Sequence, residues 1–494
     1  MKNLWIYNSL TRQKEEFVPL QQGYAGMYVC GPTVYNDVHL GNCRTYVSFD
    51  IIHRYFRYLG YKVRYVRNIT DVGHLLDDGE DRMLKGARLE KLEPMEVAHK
   101  YSLGFNEMMR IFNTLPPTIE PLASGHIIEQ IEMINAILDR GYAYVKNGSV
   151  YFDTIQFIQD KNPYGQLSGR VVEELMAESR SDLKNQDEKN HPSDFAIWMK
   201  ASEEHIMKWP SPWSVGFPGW HLECSAMSRK YLGEIFDIHG GGNDLKFPHH
   251  ENEIAQSVGA CGHAPVRYWM HTNMLLLNGR KMSKSEGNSI TPTELFTGHS
   301  PLISKAFSPM SIRFFMLQAH YRSTLDITDE ALIAGEKGYK RLMEAILAMD
   351  QITDAFAEEE GELDVKVNQT LNQCFDDLND DFNVPKALAS VFELVSLIHS
   401  VKDRHISSSK ISKSCWIDMK SRIKSLVFDI FGLQAESQEE NGGTTDGLMK
   451  LIISLRADAR NRKDWASSDL IRDSLKELGI QLKDGKEGTG WTRD

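Results

Sequence analysis

The stretch MYVCGPTVYNDVHLGN, from Met27 to Asn42, restricts the fold more than any other part of the chain. Met27-Tyr28-Val29-Cys30 reads as a short buried strand. Gly31-Pro32 stops it, because proline has no N–H for a sheet ladder and glycine frees the backbone. A polar turn at Asn36-Asp37 leads to His39-Leu40-Gly41-Asn42 and then to a helical pattern. Val47, Ile51, Ile52, Tyr55, Phe56 and Leu59 recur at three- and four-residue steps. Gly60 is the expected C-cap, and residues 61–68 read as the next strand. His39 and Asn42 therefore stand where a strand hands over to a helix N-terminus. Free N–H groups and the helix dipole suit that place to phosphate.

Far downstream lies Lys281-Met282-Ser283-Lys284-Ser285. An H-L-G-N tetrapeptide alone is a weak signal, and two lysines on a polar loop are usually just solvated. The combination is specific: a HIGH-like turn after the first strand and KMSKS after a later one are the two signatures of class I aminoacyl-tRNA synthetases. Cys30-Gly31-Pro32-Thr33-Val34-Tyr35, Gly219-Trp220-His221-Leu222-Glu223-Cys224-Ser225-Ala226-Met227 and Phe247-Pro248-His249-His250-Glu251-Asn252-Glu253 sharpen this. From about Leu4 to the C-terminus the chain resembles the cysteinyl-tRNA synthetase family. The HIGH motif departs from the family pattern, with Asn42 in the place of its last histidine.

The resemblance implies an α/β fold: a Rossmann-type nucleotide-binding catalytic domain with an inserted connective peptide, then an α-helical bundle and a small C-terminal domain. Residues 1–116 are expected to form the first half of the catalytic domain, 117–219 the insertion, and 220–310 the second half with the KMSKS loop. A helical anticodon-side domain over 311–434, a polar linker over 435–447 and a tRNA-binding unit over 448–494 complete the plan. Several local readings fill it in. Residues 4–14 read as a strand or flap, 93–115 and 126–141 as helices, and 142–153 as a hairpin turning at Asn147-Gly148. The acidic run Asp77-Asp78-Gly79-Glu80-Asp81 reads as a solvated loop. Trp209 to Trp213 and 216–219 read as rigid loops. A strand at 235–238 runs into His239-Gly240-Gly241-Gly242, where glycines at a strand end allow close backbone approach and a nucleotide contact is favoured over a flexible turn. Residues 268–277 read as one strand from whose end the KMSKS loop departs. Arg456, Arg460 and Lys463 fall on one helical face as a basic stripe, for which the resemblance favours tRNA contact.

Composition constrains the rest. The net charge of −12 does not advertise nucleic-acid binding, although local basic faces set such a footprint. The six cysteines show no C-x-x-C, which fits a reducing cytoplasm better than a disulfide framework. No run of 18 apolar residues and no N-terminal apolar segment point to a membrane span or a secretory signal. A cytoplasmic monomer is expected.

Under the resemblance, Cys30, Cys224, His249 and Glu253 correspond to zinc ligands, one ion per chain. Spacing alone does not show this, because the four are dispersed; a lone buried cysteine is usually inert packing. His249 and Glu253 share a helix face at i, i+4, and His250 shares it at i, i+3, so local geometry leaves both histidines open. Zinc suits the implied substrate. Cysteine and serine differ by S for O, which shape separates poorly, whereas a soft thiolate is a far better zinc ligand than an alcohol. The implied reaction joins L-cysteine and ATP to cysteinyl-adenylate, then passes cysteine to the terminal adenosine of tRNA(Cys). His39 and Asn42 would hold the phosphates, Lys284 with Lys281 would neutralise the leaving pyrophosphate, and Mg²⁺ would travel with ATP. Gly41 and Gly241 would line the ATP site; Thr70, Trp220 and His239 would surround the cysteine. Two rival assignments, a tRNA-independent cysteine ligase and a non-catalytic RNA-binding paralogue, are opposed by the unit at 448–494 and by the intact KMSKS.

Overall fold

The computed structural model describes residues 3–73, 92–170, 188–203, 205–282, 288–353, 356–436, 440–462, 464–477, 480–485 and 488–493. The acidic run at 77–81, Lys284 and its neighbours at 283–287, and Lys463 lie outside the described residues. The chain forms two compact units, Met1–Gln434 and Ala435–Asp494.

In the first unit, β1 (Trp5–Asn8) and β2 (Gln13–Glu16) form a hairpin. The constraining stretch folds as its pattern predicts: β3 (Tyr24–Val29), α1 (Leu40–Tyr58) and β4 (Lys62–Arg67), with β3 and β4 parallel and Gly60 at φ +89° just after the helix. Next come α2 (Pro94–Ile111) and α3 (Ile127–Asp139). Helix α2 stops short of the predicted 115, and Asn113 at φ +53° turns the chain away.

The insertion is an antiparallel sheet of β5 (Ala143–Lys146), β6 (Ser149–Phe152), β7 (Phe195–Lys200), β8 (Trp209–Pro210) and β9 (Val215–Pro218), in the order β5-β6-β7-β9-β8, with α4 (Thr154–Gln159) between β6 and β7. Asn147 and Gly148 both take positive φ, the geometry that the Asn-Gly pair favours in a two-residue hairpin. The segment 216–219 corrects the loop expected there, since it begins within β9. A Cβ at Gly216 would stand 2.1 Å from Met199 O, so this glycine permits close strand pairing.

After α5 (Leu222–Leu232) the chain returns through β10 (Phe236–Gly242), α6 (His249–Cys261) and β11 (Val266–Thr272). The central sheet is parallel throughout, in the order β11-β10-β3-β4. Two expectations are corrected here. Gly240, Gly241 and Gly242, expected beyond a strand ending at Ile238, stay in β10, paired with Met270, His271 and Thr272. Their missing side chains leave room for packing: a Cβ at Gly240 would lie 2.2 Å from the Phe49 ring, and one at Gly241 2.9 Å from His250. The predicted strand 268–277 is also broken, into β11 and β12 (Leu275–Leu277). The latter joins β13 (Arg280–Lys281) and β14 (Leu325–Ile327) in a separate small sheet, so the KMSKS segment leaves from there. The buried Arg44 holds this break. Its guanidinium donates to Asn273 O (3.1 Å), Met274 O (2.7 Å), His320 O (3.2 Å) and Ser323 O.

Between β13 and β14 lie α7 (Pro292–Thr297) and α8 (Pro309–Leu317). Four long helices follow: α9 (Asp329–Gln351), α10 (Glu362–Asn379), α11 (Val384–Lys402) and α12 (Lys413–Lys424), the last continuing into a π-helical turn, Ser425–Ile430. By length and composition α11 alone, among the described residues, could cross a membrane. Its apolar stripe, including Leu388, Val391, Val395 and Ile398, is buried in the helical bundle. The second unit contains α13 (Glu440–Asn461), α14 (Trp465–Glu477) and a hairpin of β15 (Ile480–Gly485) with β16 (Gly488–Arg493). Helix α13 begins inside the predicted linker 435–447. It also buries Arg456 (7% exposed) while Arg460 is exposed, so the two do not form one solvent-facing basic stripe.

A buried ionic knot ties α1 to the end of the helical bundle. Asp50 Oδ2 accepts from Arg54 Nε (2.8 Å) and Arg313 Nη2 (2.5 Å), and its Oδ1 accepts from Leu115 N (2.7 Å). Arg313, fully buried, also donates to Phe112 O (2.7 Å) and Phe431 O (2.8 Å). Removing one partner strands the others without water, so Arg313→Met should lower unfolding stability by about 3–5 kcal/mol in denaturant titration. Nearby, burial holds the His53 imidazole down at about 4. The unfolded chain takes up that proton below its ordinary 6.5, so stability should fall as pH drops from 6.5 toward 4. His53→Phe should flatten part of this decline in melts taken across that range.

Candidate active site and metal centre

The parallel pairing of β3 with β10 builds the site. Cys30 follows β3 directly, and its N–H donates to Gly240 O at 3.1 Å. Cys224 lies in the first turn of α5, and His249 and Glu253 stand one turn apart on α6. One ligand atom from each of these four lies within 4.8 Å of all the others, and all four residues are buried. The sulfurs are 3.7 Å apart, Cys30 Sγ is 3.6 Å from Glu253 Oε1, and His249 Nε2 is 3.1 Å from the same oxygen.

His250, the alternative ligand, belongs to a second group with Cys30, His239 and Glu253. Its Nε2 is 3.3 Å from Cys30 Sγ but 4.0 Å from Glu253 Oε1, and its Nδ1 is engaged with His271 Nε2 at 2.8 Å. His249 instead meets His221 through Nδ1 (3.0 Å), and its Nε2, turned toward the thiols and carboxylate, has no hydrogen-bond partner of normal geometry.

The cluster polarises itself. Burial acts to raise Cys224, but the hydrogen bond with Cys30 and the His249 charge bring it down to about 6. Burial acts against the His249 cation, yet Cys224 and then Glu253 lift it to about 10. Glu253 is held near 2, because His239 and then His249 outweigh its burial. Cys30 is pushed up, by burial first and then by Cys224. Within the cluster, Cys224, His249 and Glu253 are shifted toward their charged forms and Cys30 toward its neutral thiol.

His39 is the N-cap of α1. Its Nδ1 accepts from Asn42 N (3.3 Å), and Asn42 Oδ1 accepts from His39 N (3.4 Å). This reciprocal cap occupies the Asn42 carbonyl and leaves its amide group for another partner. Gly41 lies close beneath the ring, and a Cβ there would stand 3.0 Å from the imidazole. The same Cβ would be 3.9 Å from Met282, so the start of the KMSKS segment lies beside this turn, next to the exposed Lys281. Gly41 and Gly241 share a hydrogen-bond chain: Thr45 Oγ1 donates to Gly41 O (3.3 Å) and meets Thr272 Oγ1 (2.9 Å), which donates to Gly241 O (3.4 Å). Around the thiols, His239 Nε2 meets Glu253 Oε2 at 2.8 Å, the Trp220 ring lies 4.6 Å from the His249 ring, and the Thr70 hydroxyl donates to Glu223.

The sequence reading missed Asn68, Glu223, His221, which meets His249, and His271, which meets His250. Asn68 Oδ1 accepts from Gly31 N (2.8 Å) and is 3.7 Å from Cys224 Sγ. His271 passes its Nδ1 to Ser9 Oγ at 2.9 Å. Asn68 and His271 lack a spacing signal because they come from separate segments; His221 and Glu223, inside the WHLEC run, stand next to Trp220 and Cys224.

The family model described as tRNA synthetases class I (C) catalytic domain matches residues 16–337, and the DALR domain model matches 375–436. The chain is 52% identical over 493 residues to the cysteine–tRNA ligase of Porphyromonas gingivalis, covering 99% of each chain. It is 45% identical over 501 residues to that of Deinococcus radiodurans, covering 99% of this chain and 97% of the relative. Among solved structures, Mycobacterium tuberculosis methionyl-tRNA synthetase bound by methionyl-adenylate superposes with a TM-score of 0.60 at 14% identity, over 83% of this chain and 92% of that one. The Agrobacterium radiobacter LeuRS–tRNA complex gives 0.57 at 11% identity, over 85% and 86%. These two likenesses establish the class I fold. With both family models in order along it and half its residues shared with whole-length relatives, the chain belongs to the cysteine–tRNA ligase family of class I aminoacyl-tRNA synthetases.

Proposed function

We propose that Cys30, Cys224, His249 and Glu253 hold one Zn²⁺ that reads the substrate thiol, and that the HLGN turn and the KMSKS segment activate the cysteine carboxylate with ATP. The observation that carries this reading is the buried four-donor cluster, in which the His249 Nε2 atom lacks a normal partner. Two sulfurs, an imidazole nitrogen and a carboxylate oxygen are a chemically apt set for zinc. Bound there, zinc supplies a soft Lewis-acid position that a thiolate ligates and an alcohol does not.

The chain's own residues do the rest. His39 and the free N–H groups of α1 orient the ATP phosphates, with the Asn42 amide as an uncharged donor. Gly41 and Gly241 let the nucleotide approach the backbone. Lys281 and Lys284 neutralise charge on the leaving pyrophosphate, and Mg²⁺ enters with ATP. His239 fixes the second oxygen of Glu253, and Trp220 and Thr70 border the cysteine. The carboxylate then attacks the α-phosphate in line, a step limited by positioning more than by proton transfer. Residues 1–116 and 220–310 serve as the catalytic halves around the insertion. The helical region 311–434 and the unit at 448–494 engage tRNA(Cys), in a cytoplasmic monomer.

Cysteine-dependent ATP–pyrophosphate exchange tests the reading. Exchange should be supported by cysteine and not serine, abolished by chelator stripping and restored by zinc. Exchange indifferent to zinc would remove the metal from substrate recognition. Asn42→Ala should slow adenylate formation in the same assay; an unchanged rate would show that the phosphates do not use this side chain.

A further inference from the structure

The buried polar atoms that these roles leave without a partner include Tyr28 OH, His239 Nδ1 and one carboxylate oxygen, on Glu223. Glu223 stands beside Cys224 on α5 and is 1% exposed. Its Oε1 accepts from the Thr70 hydroxyl and, at 3.4 Å, from Asn68 Nδ2. Its Oε2 is buried with no hydrogen-bond partner. A desolvated carboxylate oxygen is costly unless a donor or a cation reaches it. The other acids nearby are accounted for. Glu253 lies between His239 and His249. Asp71 accepts from Ser124 N at 2.8 Å and from its hydroxyl. Glu251 also has an oxygen without a partner, but that side chain is turned to the backbone at 165–168, where it accepts from Ser168 N at 2.9 Å.

Asn68 places Glu223 relative to the thiols. The amide that donates to Glu223 Oε1 also accepts from Gly31 N, the residue after Cys30, and lies 3.7 Å from Cys224 Sγ. The carboxylate is therefore one amide away from both sulfur-bearing segments. Cysteine carries three groups to be recognised. The reading above engages the thiol and the carboxylate, and leaves the α-ammonium, a compact cation with three donors, without a counter-charge. A buried carboxyl group with one unpartnered oxygen, anchored through the other, offers that cation an acceptor.

We propose that Glu223 Oε2 receives the α-ammonium group of the substrate, with Thr70 and Asn68 fixing the opposite oxygen. The assignment rests on the reading of this pocket as the cysteine site. It makes Glu223 a specificity residue that separates α-amino thiols from thiols lacking the amine.

The test uses full-length, zinc-loaded protein and three probes: cysteine, cysteamine (thiol and ammonium) and 3-mercaptopropionate (thiol and carboxylate). Calorimetry gives their affinities for the unaltered protein, Glu223→Gln and Glu223→Asp, with zinc content and Tm recorded for each. Glu223→Gln should weaken cysteine and cysteamine roughly 10- to 100-fold, as expected for a lost charged hydrogen bond, and leave 3-mercaptopropionate unchanged. Glu223→Asp, which keeps the charge, should recover part of the cysteamine affinity; this comparison decides the matter if Gln lowers Tm. Equal weakening of all three probes, or undiminished cysteamine binding, would overturn the Glu223 assignment alone. If the unaltered zinc-loaded protein bound none of the thiols, the cysteine-site reading itself would fall, and the assignment with it.

Discussion

The structure depends on one strand pairing. Met27, Tyr28 and Val29 of β3 lie parallel to Ile238, His239 and Gly240 of β10, although some 200 residues of chain separate them. That register lets the Cys30 amide bond to Gly240 O and brings the thiol over the helix that carries His249 and Glu253. Glycines make the pairing possible. Side chains at 240 or 241 would strike Phe49 or His250, forcing the helices off the sheet edge where the ligands meet. The insertion between the two strands can be long because it folds as its own antiparallel sheet, with its interior formed by residues such as Trp198 and Phe152.

A division of labour follows from this frame. The buried end of the site recognises chemistry: soft sulfur, imidazole and carboxylate are held without water, where their mutual charges count most. The open end, which we propose handles phosphate, is a helix N-terminus capped by His39 and Asn42 and bordered by Met282. Helix α1 joins that open end to the molecule's frame. Its first turn carries the cap, its second carries Arg44 and the hold on the β11–β12 break, and at its middle Asp50 anchors it to the helical bundle through Arg313. Displacing the bundle end of α1 would disturb the same helix that presents the phosphate-facing amides.

Much of this was legible in the sequence. The strand–turn–helix at 24–58 could be read because glycine, proline and an unbroken apolar stripe leave few alternatives there. Helical spacing put both His249 and His250 on the face of Glu253 and did not choose between them. The four-donor set did not follow from spacing, since its members come from three separate elements; the family resemblance supplied it and the fold brings the atoms together. The strand at 235–238 was read too short because a glycine run can end a strand or let it pack closely, and only the neighbour, here Phe49, tells the two apart. The broken strand at 273–274 was hidden because its cause is Arg44, 229 residues away along the chain from the Asn273 carbonyl it holds. The basic stripe failed because helical spacing gives a face, not its direction, and Arg456 points inward.

The most direct test of the account is X-ray absorption at the zinc edge on the zinc-loaded protein, with and without cysteine. The account predicts two sulfur ligands from Cys30 and Cys224 in the free protein, with a third sulfur added by cysteine and none by serine. A sulfur count that does not change on adding saturating cysteine would contradict the claim that this centre reads the substrate thiol.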